Sequence, residues 1–300
     1  MGIWWTSSAF STSARALICA DAGPRVRVLT SSVYLQKGGN AAEECEDAFA
    51  ISGTACRLAI ADGASDSYDS GRWARLLVGA FAAAAPPTHV EGLRTWLVEP
   101  ARAWLAGLAF DTLPWNQQAK ARLGSHCTFL GVELECTPPS CVDHGAPCGA
   151  WRALAVGDCC LFQVRGGSLV RAFPLASAAE FGSSPALLTT NPAYRGASVE
   201  RLALAGGELR LGDTLFLATD ALAQWFLQRY EAGEHPWCDL PVDAAFAAIV
   251  DEQRARRRLR NDDVTLLVVQ IVAGEMLPVQ AVGTAIVPKV ASDRWLRRRW

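Results

Sequence analysis

Four aspartates sit where short apolar runs stop or start: Asp47 in Cys45-Glu46-Asp47-Ala48-Phe49, Asp62 after Leu58-Ala59-Ile60-Ala61, Asp220 after Leu215-Phe216-Leu217-Ala218-Thr219, and Asp262 just before Val264 to Val268. Runs of this length and β-branched content are strand signals, so each carboxylate marks a strand end. If those ends converge, several negative charges share one cleft. Two like charges ~4 Å apart repel by ~4 kcal/mol at the effective dielectric near a protein surface. Such a cluster demands protons or cations. Hard oxygen ligands with no His or Cys among them favour magnesium or manganese over zinc. The plain alternative is that each aspartate caps a helix or turn on its own.

The elements that must position these groups are legible in outline. Strands are expected at Val26 to Tyr34, Ala48 to Ile51 and Arg57 to Ala61, the first followed by a turn at Gly38-Gly39-Asn40. Between Tyr68 and Ala85, the residues Trp73, Leu76, Leu77, Ala80, Phe81 and Ala84 recur at offsets of three and four, the stripe of a helix packed on a core. Leu93 to Leu108 reads as further helix, broken or restarted at Pro100. Strands then follow at Thr128 to Leu134, Trp151 to Val156, Leu161 to Val164 and Leu169 to Phe173, with a hairpin at Gly166-Gly167. Residues 174 to 207 show little periodicity and read as a long excursion at a sheet edge. Leu215 to Ala218 and Val264 to Val272 return to strand, flanking helices at Ala221 to Tyr230 and Val242 to Arg256. No repeat or low-complexity linker divides the chain. The expected architecture is α+β, an antiparallel β-sandwich flanked by helices in one domain over residues 1–273, with a partly ordered tail over 274–300 ending in Arg294, Arg297, Arg298 and Arg299.

Composition excludes several classes. With 300 residues and 51% hydrophobic content the chain can bury a substantial core, so disorder is ruled out. A formal charge of −2 gives no reason to expect a nucleic acid partner. The longest apolar stretch, Leu76 to Pro87, is far short of the ~18 residues a membrane span needs. The start, MGIWWTSSAF, lacks the form of a secretory signal, so a cytoplasmic chain is expected; its match to a myristoylation pattern reads as chance. Ten cysteines then read as reduced thiols. Cys136, Cys141, His144 and Cys148 fit no common zinc spacing and read as a thiol-rich loop between Leu134 and Trp151, with a zinc-dependent interaction domain as the alternative.

The order of motifs resembles the metal-dependent type 2C family of serine/threonine protein phosphatases, in a bacterial-type branch. Cys45-Glu46-Asp47-Ala48-Phe49 is similar to its first acidic motif and Ala61-Asp62-Gly63 to its strand-end Asp-Gly. Gly124-Ser125-His126-Cys127-Thr128 is similar to its Gly-Ser/Thr-Thr turn, and Ala155-Val156-Gly157-Asp158 with Leu161-Phe162 to its Val-Gly-Asp hairpin. Gly212-Asp213-Thr214 leading to Ala218-Thr219-Asp220 and Asn261-Asp262-Asp263-Val264-Thr265 complete the series over residues 30 to 272.

The resemblance implies the four-layer α-β-β-α sandwich and two divalent ions, Mg or Mn. Asp62 would bridge them with the Gly63 carbonyl on one, Asp220 and Asp262 would hold the other, and Glu46 and Asp47 would bind or orient metal-bound water, making Asp47 and Asp62 the catalytic pair. Asp158 would hold a weak third ion. The implied substrate is a phosphorylated protein, the product of a cognate Ser/Thr kinase in a signalling pathway, handled by a monomer. No Cys-x5-Arg loop offers a thiol nucleophile. The chain departs from the family at Ala42, where many members carry a phosphate-binding Arg, with Lys37 or Arg72 as candidate replacements. Ala64, Ala221 and Gln224 stand where some members have His, Gly and Asp. The rival reading is a non-catalytic, phosphoprotein-binding or regulatory module of the same fold.

Overall fold

The computed structural model of the protein describes residues 15–18, 25–52, 56–136, 146–274 and 285–286. Strands β1 (Arg15–Ile18), β2 (Arg25–Leu35), β3 (Ala48–Ser52) and β4 (Arg57–Gly63) lead to helices α1 (Ser70–Ala83), α2 (Val90–Trp96), α3 (Val98–Ala106) and α4 (Trp115–Leu123). Strands β5 (His126–Cys136), β6 (Pro147–Val156), β7 (Cys160–Arg165), β8 (Ser168–Phe173) and β9 (Leu188–Thr189) follow. Next come α5 (Pro192–Val199), β10 (Ala203–Arg210), β11 (Thr214–Ala218), α6 (Asp220–Glu231), α7 (Ala245–Ala255), β12 (Val264–Gly274) and β13 (Ala285–Ile286).

Among the described residues every pairing is antiparallel. One sheet runs β1-β2-β12-β11-β7-β8 and the other β10-β6-β5-β4-β3-β13, with β9 on β5. Period-two alternation explains how the sheets stack. In β11, Leu215 and Leu217 point between the sheets, while Phe216 and Ala218 point outward onto α6 and α7. In β4, Leu58 and Ile60 join the inter-sheet core, while Ala59 and Ala61 face Trp73, Leu77 and Phe81 of α1. Three apolar layers between four layers of secondary structure make the α-β-β-α sandwich that the sequence implies. The outer contacts are aromatic: Phe162 of β7 stacks on Phe226 of α6 with centroids 4.1 Å apart, and Phe81 meets Phe129 edge-on at 5.7 Å.

The antiparallel order also gathers the acidic corners. The start of β3 and end of β4 lie at one end of their sheet, and the end of β11 and start of β12 lie at the corresponding end of the other. Asp47, Asp62, Asp220 and Asp262 therefore share one rim. The turn at Gly157-Asp158 crosses from β6 in one sheet to β7 in the other at that same rim, so the hairpin in this stretch is β7–β8.

Several sequence expectations need correction. Residues 174 to 207 are not an irregular excursion: they contain β9, α5 and the first part of β10, which pairs with β6 as an edge strand. Gly206-Gly207 in β10 removes the apolar alternation that would have marked it, and a Cβ on Gly207 would meet the Trp151 indole at 2.7 Å. The stripe on α1 is rotated, with Trp73, Ala74, Leu77, Val78, Phe81 and Ala82 buried, Leu76 and Ala80 at its margin and Ala84 exposed beyond the helix. The break near Pro100 falls at Leu97, and Pro100 sits in the first turn of α3, where no intrahelical acceptor awaits its missing N–H. Strands β5 and β6 run on to Cys136 and from Pro147, narrowing the expected loop; Cys141 and His144 of the thiol-rich run, and Arg294 to Arg299, lie outside the described residues. Among the described residues, no helix is long and apolar enough to cross a membrane.

Candidate metal centre

Asp62 ends β4 one residue before Gly63, and the backbone there approaches its neighbours closely. A Cβ on Gly63 would lie 2.9 Å from the Glu46 carbonyl oxygen and from the Ser70 backbone, so only glycine lets α1 and the acidic loop pack against the strand. Burial pushes the Asp62 carboxyl well above the usual carboxylate range, and the charges of Asp47, Asp220, Asp262 and Asp158 push it further. Four of the expected site carboxylates thus lie near enough to act on the charge of the fifth.

Asp47 is buried. Its Oδ2 accepts a hydrogen bond from Thr219 Oγ1 at 2.9 Å, which ties the acidic loop of one sheet to the end of β11 in the other. Its Oδ1 is buried without a hydrogen-bond partner. Burial raises its pKa, Asp263 adds to the rise, and the Thr265 and Thr219 hydroxyls oppose it. Asp158 is likewise buried, with Oδ1 lacking a partner. Burial and the nearby Asp220 charge raise its carboxyl to about 7. Its turn depends on Gly157 at φ +103°, where a Cβ would strike Thr128 at 2.6 Å.

Asp220 opens α6, with Oδ1 accepting from the Ala221 N–H at 2.5 Å and Oδ2 in contact with the Arg260 guanidinium. Burial raises its pKa, and Arg260 opposes that rise. Asp262 Oδ1 accepts from the Asp263 N–H at 3.0 Å, and Oδ2 lies 3.8 Å from Arg260 Nε. Each therefore also does the local work of the plain alternative, accepting the next backbone N–H with one oxygen, while its other oxygen faces Arg260. Glu46 differs from the others. Both of its oxygens are engaged by hydroxyls, Oε2 by Ser65 at 2.5 Å and Oε1 by Ser70. It stands beside the cluster as a held group.

Three contributors escape a motif reading. Asp263, buried, accepts from the Lys37 N–H at 2.7 Å and the Glu46 N–H at 2.8 Å, so it fixes the acidic loop instead of facing the cleft. Arg260, immediately before the Asn-Asp-Asp run, supplies the cation that Asp220 and Asp262 hold in this structure. Thr219 joins the two sheets, as above. The fourth aspartate of the motif series, Asp213, lies elsewhere: it is buried with Arg165 in a two-pronged ion pair at 2.7 and 2.8 Å and receives Gln163 Nε2 at 2.8 Å. Arg72 is also remote, donating to Asp69 and the Ala103 carbonyl, whereas Lys37 Nζ reaches Ser65 Oγ at 3.4 Å on the rim of the cluster.

The donor set fits hard divalent cations: oxygen only, strongly desolvated, mutually repelling, with two buried carboxylate oxygens lacking any partner. Among the described residues, no three acidic, His or Cys side chains close on a single point, so the carboxylates form an open acidic rim and not a finished coordination cage.

No protein-family model and no curated protein matches the sequence. Solved structures do match the fold. The photosystem II phosphatase PBCP is 18% identical, over 82% of this chain and 99% of its own, with a TM-score of 0.52. The Mycobacterium tuberculosis serine/threonine phosphatase PstP/Ppp is 16% identical over the same shares, with a TM-score of 0.51. The PstP catalytic domain in complex with two manganese ions gives 16% and 0.50. The sandwich is therefore the fold found in metal-dependent serine/threonine phosphatases.

Proposed function

We propose that the protein is a Mg- or Mn-dependent phosphoprotein phosphatase that hydrolyses phosphate monoesters of serine and threonine. The observation that supports this best is the proximity of Asp47, Asp158, Asp220 and Asp262 to Asp62, with orphaned buried oxygens on Asp47 and Asp158. Asp62, the Gly63 carbonyl, Asp220 and Asp262 would hold two cations, and Asp158 a weaker third. When bound, such a pair acidifies water, neutralises phosphate oxygens and stabilises in-line displacement at phosphorus.

The chain's own residues supply position and protons. Asp47, held by the Thr219 hydroxyl, would orient water and accept a proton from it. Asp263 holds the Lys37 and Glu46 backbones so that this loop keeps its place over β4. With Ala64 beside Asp62-Gly63, no side chain at that position protonates the leaving group, which leaves the task to solvent. The substrate would be a phosphorylated protein made by a cognate kinase, met in the cytoplasm by a monomer whose catalytic domain spans residues 1–273.

Hydrolysis of an aryl phosphate with manganese, with and without chelator, tests this reading. Turnover that the chelator abolishes is expected. One observation favours the second reading, a phosphoprotein-binding module: the Arg260 guanidinium lies on Asp220 and Asp262. Phosphopeptide binding with no phosphate release at saturating manganese would establish that reading instead.

A further inference from the structure

A cleft of about 730 Å³ opens beside the acidic rim, between α6 and the segment that joins α7 to β12. Its walls include Trp225, Arg229, Arg254, Arg257, Arg258 and Arg260. Three of these five arginines are balanced by carboxylates, Arg229 by Glu234 and Asp239, Arg254 by Asp251, and Arg260 by Asp220, so the unbalanced positive charge of the cleft is that of Arg257 and Arg258. Glu234 is already neutralised, because Arg229 Nε donates to it at 2.5 Å. Arg254 is committed too, bonding the Gln36 and Asp262 carbonyls at 3.1 and 2.5 Å as part of the frame. Arg257 and Arg258 are different: both are exposed, and neither has an acidic partner among the described residues.

The backbone under Arg257 makes its presence notable. Helix α7 ends in a Schellman motif, with Arg258 N–H donating to the Gln253 carbonyl at 2.9 Å and Arg257 N–H to the Arg254 carbonyl at 2.9 Å. That geometry requires a left-handed residue, and Arg257 occupies it at φ +55°. Glycine is the residue this position favours. An arginine here gives up stability to place a guanidinium at the cleft.

We propose that this cleft is a docking site for acidic side chains flanking the phosphorylated residue of the substrate. The inference rests on the phosphatase reading for the identity of that substrate. Arg260 links the two regions, lining the cleft while touching Asp220 and Asp262. A phosphoresidue seated at the acidic rim would then have its chain neighbours in the cleft that Arg257 and Arg258 line. Without those guanidinium groups, acidic neighbours would be repelled by the carboxylates of the rim.

The test uses the full chain with manganese and two phosphothreonine peptides that differ only in flanking glutamates or flanking glutamines. At low salt kcat/KM should favour the glutamate peptide by about fivefold, and the preference should shrink as salt rises. The double variant Arg257→Gly with Arg258→Ser should bring the ratio to about one, with each protein referred to its own aryl-phosphate turnover. Arg257→Gly alone should raise the melting temperature while reducing the preference, a combination misfolding does not produce. Equal use of both peptides by the natural protein, or a ratio that survives in the double variant, overturns the proposal. If no phosphate is released from any substrate, the phosphatase reading fails but the cleft is still tested: fluorescence anisotropy should show the unphosphorylated glutamate peptide binding more tightly than the glutamine peptide. That difference must vanish in the double variant, and its absence or persistence again overturns the proposal.

Discussion

The Arg260 guanidinium lies against the Asp220 carboxylate, so the end of β11 is cross-linked to the loop before β12 by an ion pair at the centre of the acidic rim. Asp220 is strongly desolvated and Arg260 eases the cost of its charge. A divalent cation bound by Asp220 Oδ2 competes with that guanidinium for the same oxygen. Partly exposed pairs are worth up to ~1 kcal/mol. Arg260→Gln should therefore tighten manganese binding by about three- to fivefold in calorimetric titration. Weaker binding in the variant would mean that Arg260 supports the ion site instead of competing for it.

Asp62→Asn should abolish phosphatase turnover while leaving the fold intact. Asp62 is the carboxylate on whose charge the four others act, and amide oxygen is a poor substitute for a bridging charge. Metal-free stability should rise or stay level, since one repelling charge is gone. Circular dichroism melts in chelator, beside turnover in manganese, check both halves; wild-type turnover in the variant would refute the two-ion assignment.

A side-chain pattern reports alternation and run length along the chain, not tertiary approach. β11 was legible because Leu215 and Leu217 face one core and Phe216 and Ala218 another, which makes a continuous apolar run. The rim was legible because Asp62 and Asp220 directly follow such runs. α4 left no signal, since Ala121 is its only buried residue and nothing alternates along Trp115–Leu123. β10 was hidden by its glycines, although Asn191 and Pro192 do mark the start of α5: Asn191 Oδ1 accepts from Ala193 N–H at 3.0 Å and proline fills the first turn. Arg260 and Asp263 were missed because their roles are made by tertiary approach. Asp263 reads as one more acid in Asn261-Asp262-Asp263 until its bonds to the Lys37 and Glu46 backbones are seen.

Asp158 predicts an inverted pH response. Its carboxyl is raised to about 7 by burial and by Asp220, so the folded state retains a proton that the unfolded chain has released by about pH 4. Stability of the metal-free protein should then fall as pH rises between those values, by on the order of 3 kcal/mol from this group. Above about pH 7 the penalty is complete. Urea midpoints in chelator from pH 4 to 8 should decline, and Asp158→Asn should flatten the decline. A midpoint that is equally steep in the variant would assign the effect to other carboxyls.

Lys37 predicts where ground-state affinity for phosphate comes from. Ala42 is half-buried before the acidic loop and offers no charge. Arg72 is spent on Asp69 and the Ala103 carbonyl, facing α3. Lys37 remains: its backbone is pinned by Asp263, and its Nζ lies 3.4 Å from Ser65 Oγ, itself hydrogen-bonded to Glu46. An ammonium at that rim can meet a phosphate oxygen, and a hydrogen bond to a charged group contributes ~1.5–3 kcal/mol before solvent exposure reduces it. Lys37→Ala should accordingly raise KM for a phosphorylated peptide by about three- to tenfold with little change in kcat, the signature of lost uniform binding. Ala42→Arg should lower KM in that background and change it little in the natural protein, where Lys37 already supplies the charge. Unchanged KM in Lys37→Ala, or a large gain from Ala42→Arg with Lys37 present, would remove Lys37 from the phosphate site.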